Sequence, residues 1–228
     1  MKRFPKLIPN ELIFGCLYYL LQLLAIPGII LGVNMLLPAP MPEAVLNFIA
    51  FAINFLAVLI IFRKFLRANW QVLRQAPWNA LRLAGIGFLI YMVLSTIYGW
   101  IVLLIDPNFA NINDAAIMEM GQGHFSLIAV ATVFLVPVAE ECFYRGLVFR
   151  ALYDRFPKLA YIVSMVFFSL VHVIGYITIA DWKTLALCFF QYLPAGFALA
   201  WSYRKSGTIF TPVLIHMTVN QMGMLLMR

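Results

Sequence analysis

Long uninterrupted apolar stretches dominate the chain, separated by short polar punctuation. Seven runs, at about 12–37, 44–62, 81–105, 126–152, 159–178, 184–203 and 208–227, are each long enough to cross a bilayer, which takes about 20 mostly apolar residues. None shows the short alternating register of an outer-membrane barrel strand, so the pattern predicts helices. Pro27-Gly28 predicts a kink in the first run, and Pro38, Pro40 and Pro42 mark the turn into the second. The first run exceeds a signal-peptide core in length and lacks a small-residue cleavage site, so it reads as a retained helix. No internal repeat or low-complexity segment interrupts the pattern. The expected fold class is all-α, a polytopic membrane helix bundle of about seven transmembrane helices. The connections leave no room for a soluble domain, which puts any activity in or at the bilayer.

Composition agrees with this reading. Of 228 residues, 64% are hydrophobic and 11% charged, where a soluble domain is about half apolar and about a quarter charged. A soluble globule and a disordered chain are both excluded. Cys16, Cys142 and Cys188 are odd in number and sit in apolar runs, which argues against a disulfide framework, and their spacing fits no zinc module. The basic residues set an orientation. Lys2, Arg3 and Lys6 precede the first run, and Arg63, Lys64, Arg67, Arg74 and Arg82 separate the second from the third. Arg145, Arg150, Arg155 and Lys158 cluster near the fourth-to-fifth junction, and Arg204-Lys205 separates the sixth from the seventh. These are fourteen of the sixteen basic residues, all on alternate junctions, whereas the other side has Lys183 and Arg228 with Glu43, Asp106, Asp114, Glu119 and Asp181. Such a bias predicts a cytoplasmic N-terminus and an outside C-terminus, and it fits a bacterial inner (cell) membrane. It also accounts for the net charge of +7 without a nucleic-acid partner. Residues 63–82, with Trp70 and Trp78, read as an interfacial segment against anionic headgroups or simply as a topology determinant.

Ionisable groups inside apolar runs are costly and normally face the bundle interior with a function. The fourth run carries the adjacent pair Glu140-Glu141, with Arg145 at the i,i+4 spacing that lets it pair with Glu141. Glu140 points about 100° away and has no such local partner. Pro137 removes a backbone hydrogen bond just before the pair. The fifth run carries Phe168 and His172, and the seventh carries His216 and Asn220 on one face. A carboxylate beside an imidazole can hold and deprotonate a water, and a second histidine with an asparagine can donate to an oxyanion. Glu140, His172 and His216 could equally ligate a divalent metal such as zinc with one position open. Energetic economy predicts that Glu140, His172, His216 and Asn220 converge on one wet cavity, with Phe168 lining or supporting it. His124 falls in an outer loop and carries no expectation.

These three ordered motifs, Glu140-Glu141-xxx-Arg145, Phe168-xxx-His172 and His216-xxx-Asn220, resemble those of the CAAX-protease and bacteriocin-processing (Abi) family. That family consists of glutamate-dependent intramembrane proteases and includes the type II CAAX prenyl endopeptidases. The resemblance covers about residues 125–228, implying a catalytic four-helix core there and a three-helix membrane region over 1–124, within one integral membrane domain overall. It implies an intramembrane endopeptidase that hydrolyses a peptide bond in a membrane-embedded or lipid-associated peptide. Glu140 would be the general base, His172 would orient the water, and His216 and Asn220 would stabilise the oxyanion. Glu141 and Arg145 would hold the fourth helix in place. The requirement for a metal stays open at this stage. The alternative is a non-catalytic membrane immunity factor or scaffold of the same fold, and a proton-relay transporter is a weaker third reading.

Overall fold

The structure, a computed structural model, describes residues 5–226; the orientation argument from Lys2, Arg3 and Arg228 lies outside the described residues. Among the described residues ten helices follow in chain order: α1 Pro9–Leu24, α2 Ile26–Met35, α3 Glu43–Ile61, α4 Arg63–Gln75 and α5 Pro77–Ile105. Then come α6 Ile112–Gly121, α7 Phe125–Tyr153, α8 Pro157–Val171, α9 Trp182–Ser206 and α10 Phe210–Leu226. Among the described residues there is no strand. The protein is an all-α polytopic membrane bundle.

Helices occupy all seven apolar runs. Among the described residues five spans are by themselves long and apolar enough to cross a membrane, one of them being α8 together with the short 3-10 turn that follows it, Pro157–Tyr176; α1 with α2 forms a sixth, bent by 45°. The bend falls at Ala25, because Pro27 lacks the N–H that would continue the ladder and its ring crowds the carbonyl four residues back. The seventh run is helical over all the described residues from Phe210 to Leu226, about 25 Å of rise. After α2, Asn34 accepts the Met41 N–H at 2.7 Å and so closes the proline-rich turn.

α4 carries its charges on one side and buries Phe65 and Asn69 on the other. Its unpaired N-terminal donors are met from α1: the buried Glu11 accepts the N–H groups of Lys64 and Phe65, both at 2.9 Å. Asn69 in turn accepts the Ile209 N–H at 2.8 Å, and its carbonyl takes the Thr208 hydroxyl at 3.0 Å, fixing the start of α10.

α7 is the central element. In its most apolar window 44% of residues are buried within the molecule, against 6% for α5, which faces outward. One core joins Val58, Phe62 and Phe65 to Cys142, Phe143, Leu147 and Phe149 of α7. Gly15 of α1 lets Phe62 approach, since a Cβ there would stand 2.6 Å from its ring. α9 packs on α5 and α8, and α10 packs on α9, α5 and α7.

Candidate active site

α7 is not a uniform α-helix. Residues Ala131–Leu135 and Cys142–Phe149 are wound as π-helix, on either side of the glutamate pair. Such segments concentrate at functional sites. In the first of them Val136 N–H bonds the carbonyl of Ala131, five residues back. The next donor in that register would be Pro137, which has none, so the Thr132 carbonyl is left over. Asn220 of α10 donates to it at 2.7 Å. One amide N–H of Asn220 therefore holds α10 to α7, and the amide has a second N–H to offer.

Glu141 is fully buried. Its Oε1 accepts from Arg145 Nη1 at 3.0 Å and lies 3.0 Å from His216 Nδ1. Arg145, also fully buried, spends Nη2 on the Gly196 carbonyl at 3.2 Å and lays its guanidinium over the Phe168 ring at 4.6 Å. Glu140 is different. Its side chain is 20% exposed, and its Oε2 is buried with no hydrogen-bond partner, 3.8 Å from His216 Nε2. That gap is too long for a direct bond and suits a bridging water. Since an ionised Glu141 can only accept, His216 Nδ1 carries a proton and Nε2 is the atom turned to Glu140.

His172 stands apart from its expected setting. The fifth run was expected to be helical over 159–178, whereas α8 stops at Val171 and His172 caps it. The cause is local. His172 N–H turns to the Ser169 carbonyl at 3.3 Å, and its ring Nδ1 meets the Phe168 carbonyl at 2.7 Å, taking over an acceptor that the ending helix leaves open. A carbonyl only accepts, so Nδ1 is the protonated nitrogen and Nε2 is free. The ring stacks on Tyr192 of α9 with centroids 4.0 Å apart and planes 23° from parallel.

Phe168, 2% exposed, lies between these groups: its ring centroid is 4.9 Å from His172, 5.7 Å from His216 and 5.5 Å from Tyr144. His172 and His216 thus flank one aromatic ring, and Glu140 lies within Coulombic range of both. The imidazole within 4 Å of Glu140 is that of His216. Asn220 belongs to the same helix face but has its recorded bond on Thr132.

Several participants carried no sequence signal. The Glu141–His216 contact joins residues 75 apart, and the stack of Tyr192 on His172 joins two separate helices. Tyr19 of α1 reaches Tyr144 of α7 with its hydroxyl at 3.3 Å, so the N-terminal region also touches this neighbourhood. Tyr192's hydroxyl donates towards Asp114 Oδ1 at 3.3 Å and accepts from Asn113 at 3.1 Å. Burial raises the Asp114 carboxyl above the usual carboxylate range, and the bond from Tyr192 opposes the rise.

A divalent metal on Glu140, His172 and His216 is the other arrangement the motifs allow. Both rings tie down Nδ1 and leave Nε2, as ligating histidines do. Among the described residues, however, no three His, Cys, Asp or Glu side chains come together closely enough to hold a metal. The donor set as placed does not fit such an ion.

Comparison with known proteins agrees with the class of site. Residues 122–222 match the family described as type II CAAX prenyl endopeptidase Rce1-like. It is similar to "UPF0177 protein YxdF" of Lactococcus lactis, 24% identical over 149 residues, 64% of this chain and 77% of that one. It is also similar to "Putative membrane peptidase YdiL" of Bacillus subtilis, 31% identical over 109 residues, 47% of this chain and 40% of that one. No solved structure matches.

Proposed function

We propose that the protein is an intramembrane endopeptidase in which Glu140 activates a water against a peptide bond of a membrane-embedded or lipid-associated substrate. The observation that carries this reading is the Glu140 carboxylate, whose buried Oε2 has no hydrogen-bond partner and faces His216 Nε2 at 3.8 Å. Glu141 Oε2 is also without a partner, but Glu141 is fully buried and its Oε1 is held by Arg145 and His216; Glu140 is partly exposed and holds no such bond, so its carboxylate is the one open to a water. The match to a family described as endopeptidases supports the same class of reaction.

In the proposed sequence a water between Glu140 and the neighbouring imidazoles gives its proton to Glu140 as its oxygen adds to the carbonyl carbon. The carbonyl becomes an oxyanion, with the second Asn220 N–H as its candidate donor; His172 and His216, protonated at Nδ1, offer bare Nε2 atoms that can accept from the water. Collapse breaks the C–N bond, and Glu140 returns the proton to the leaving amine. Arg145 and Glu141 carry no proton in this scheme. They neutralise each other beneath the site and hold His216 by Nδ1. Residues 125–228 would supply the catalytic groups, and 1–124 a membrane region packed around them.

The test is Glu140→Gln in the full chain, reconstituted in vesicles with internally quenched transmembrane and lipidated peptides. Turnover should fall by about 100-fold or more, with the unfolding temperature unchanged, because Glu140 contributes no bond to the fold. Wild-type turnover in this variant would remove the proposed base.

A further inference from the structure

We propose that Tyr192 is a positioning residue for His172 and that Asp114, reaching in from α6, anchors Tyr192 in that task. His172 lies one residue beyond the end of α8, with its backbone N–H held by the Ser169 carbonyl at 3.3 Å in the capping turn. Its ring is held at one edge by the Phe168 carbonyl at 2.7 Å. The Phe168 ring, 4.9 Å away and tilted by 56°, does not lie flat against it. The Tyr192 ring does, covering the imidazole face at 4.0 Å and 23°.

Tyr192 is itself clamped. Its hydroxyl has one proton and two acceptors, Asp114 Oδ1 at 3.3 Å and Asn111 Oδ1 at 3.4 Å, and it receives the Asn113 amide at 3.1 Å. The carboxylate is the stronger acceptor. The clamp is built into the start of α6: Asn111 Oδ1 caps the helix by accepting the N–H groups of Asn113 and Asp114, and its amide donates to Gln191 of α9 at 3.0 Å. Two neighbouring residues of α9, Gln191 and Tyr192, are thereby pinned to Asn111, Asn113 and Asp114, which lie outside the family-matched stretch. A core-filling tyrosine would need the ring alone. Here the ring faces a histidine and the hydroxyl is enclosed by three side chains from one helix start, so the Nε2 direction of His172 is set from α6.

The inference rests on the peptidase reading for the reaction it serves, and its experiment has an arm that does not. Tyr192→Phe keeps the stacked ring and drops the anchor, Tyr192→Leu drops the stack, and Asp114→Asn keeps the shape but not the charge. For peptides cleaved by the wild type, Tyr192→Leu should lower kcat by about 100-fold, the scale of a misplaced catalytic group, with KM little changed. Tyr192→Phe and Asp114→Asn should lower kcat by a smaller factor, again at unchanged KM. Independently of any substrate, the ¹⁵N ring spectrum of His172, assigned with His172→Gln, should show one tautomer protonated at Nδ1 in the wild type and a mixture in Tyr192→Leu. An unchanged histidine spectrum in Tyr192→Leu would overturn the proposal, as would kcat losses that merely follow a lowered unfolding temperature. Should Glu140→Gln stay active while the spectrum behaves as described, the peptidase reading falls and the positioning of His172 stands.

Discussion

Arg145 is the residue on which the buried charge of the site depends. It faces Glu141 with both side chains fully buried, reaches the Gly196 carbonyl and covers the Phe168 ring. Removing one member of such a pair leaves the other charge uncompensated, at a cost of about 3–5 kcal/mol. Arg145→Ala should therefore lower stability by that order in a denaturant titration in detergent, and activity with it. Arg145→Lys should recover only part, since a point charge on a flexible stem cannot serve Glu141, Gly196 and the ring face together. Wild-type stability in Arg145→Ala would end the assignment. This pair was legible in the sequence because i,i+4 spacing is local. The same logic did not reach His216, which completes the cluster from another helix and in this structure touches Glu141 more closely than Glu140. Nor did it reach the stacking of Tyr192 on His172, since face contacts between distant aromatic residues leave no periodic trace.

Apolar periodicity located the helices at the scale of elements, but it could not report their winding. The two π segments of α7 change which groups are spare, and Asn220 uses the Thr132 carbonyl that Pro137 cannot serve. Pro137 was visible as a gap in the ladder, whereas its partner depends on a five-residue register that composition does not encode. The end of α8 at Val171 was likewise hidden, because the residues around it are as apolar as those within it. Contact between α8 and α9 is equally specific: a Cβ on Gly196 would stand 3.2 Å from Met165 Cα, which is backbone and cannot swing aside. Gly196→Ala should push the two helices apart and disturb the carbonyl that Arg145 uses, costing about 1–3 kcal/mol. Gly99 of α5 has nothing within 4 Å of its notional Cβ, so Gly99→Ala is the control and should leave stability unchanged or slightly raised. Equal effects of the two alanines on unfolding would show that the α8–α9 contact is not tight.

Within the whole molecule, contacts bring the basic junctions to one end. Lys6 pairs with Asp154 at the α7–α8 junction, and Arg150 also bonds Asp154 and the Pro5 carbonyl. The burial of Glu11 against the start of α4 joins the N-terminal segment to the α3–α4 junction. Asn69 ties α4 to Thr208 and Ile209, and Arg204 meets Tyr153. Four stretches that are separate in sequence thus form one basic end, while Lys183 pairs with Asp106 elsewhere. Lys6 and Arg150 hold the Asp154 carboxyl below the usual carboxylate range, which matches a charged, wetted end. With so many cations at a single end, the orientation that keeps it cytoplasmic is the one insertion favours, and the α6 clamp would then lie towards the outside. We therefore predict that an impermeant thiol reagent added to intact cells labels a cysteine placed at Asn108 and leaves one at Gln75 unlabelled until the membrane is opened. Both positions are exposed. Of the native thiols Cys16 is exposed and has to be replaced, while Cys142 and Cys188 are buried. Labelling of Gln75 but not Asn108 from outside would invert the molecule, place the basic end in the exterior and turn the α6 side of the site towards the cytoplasm.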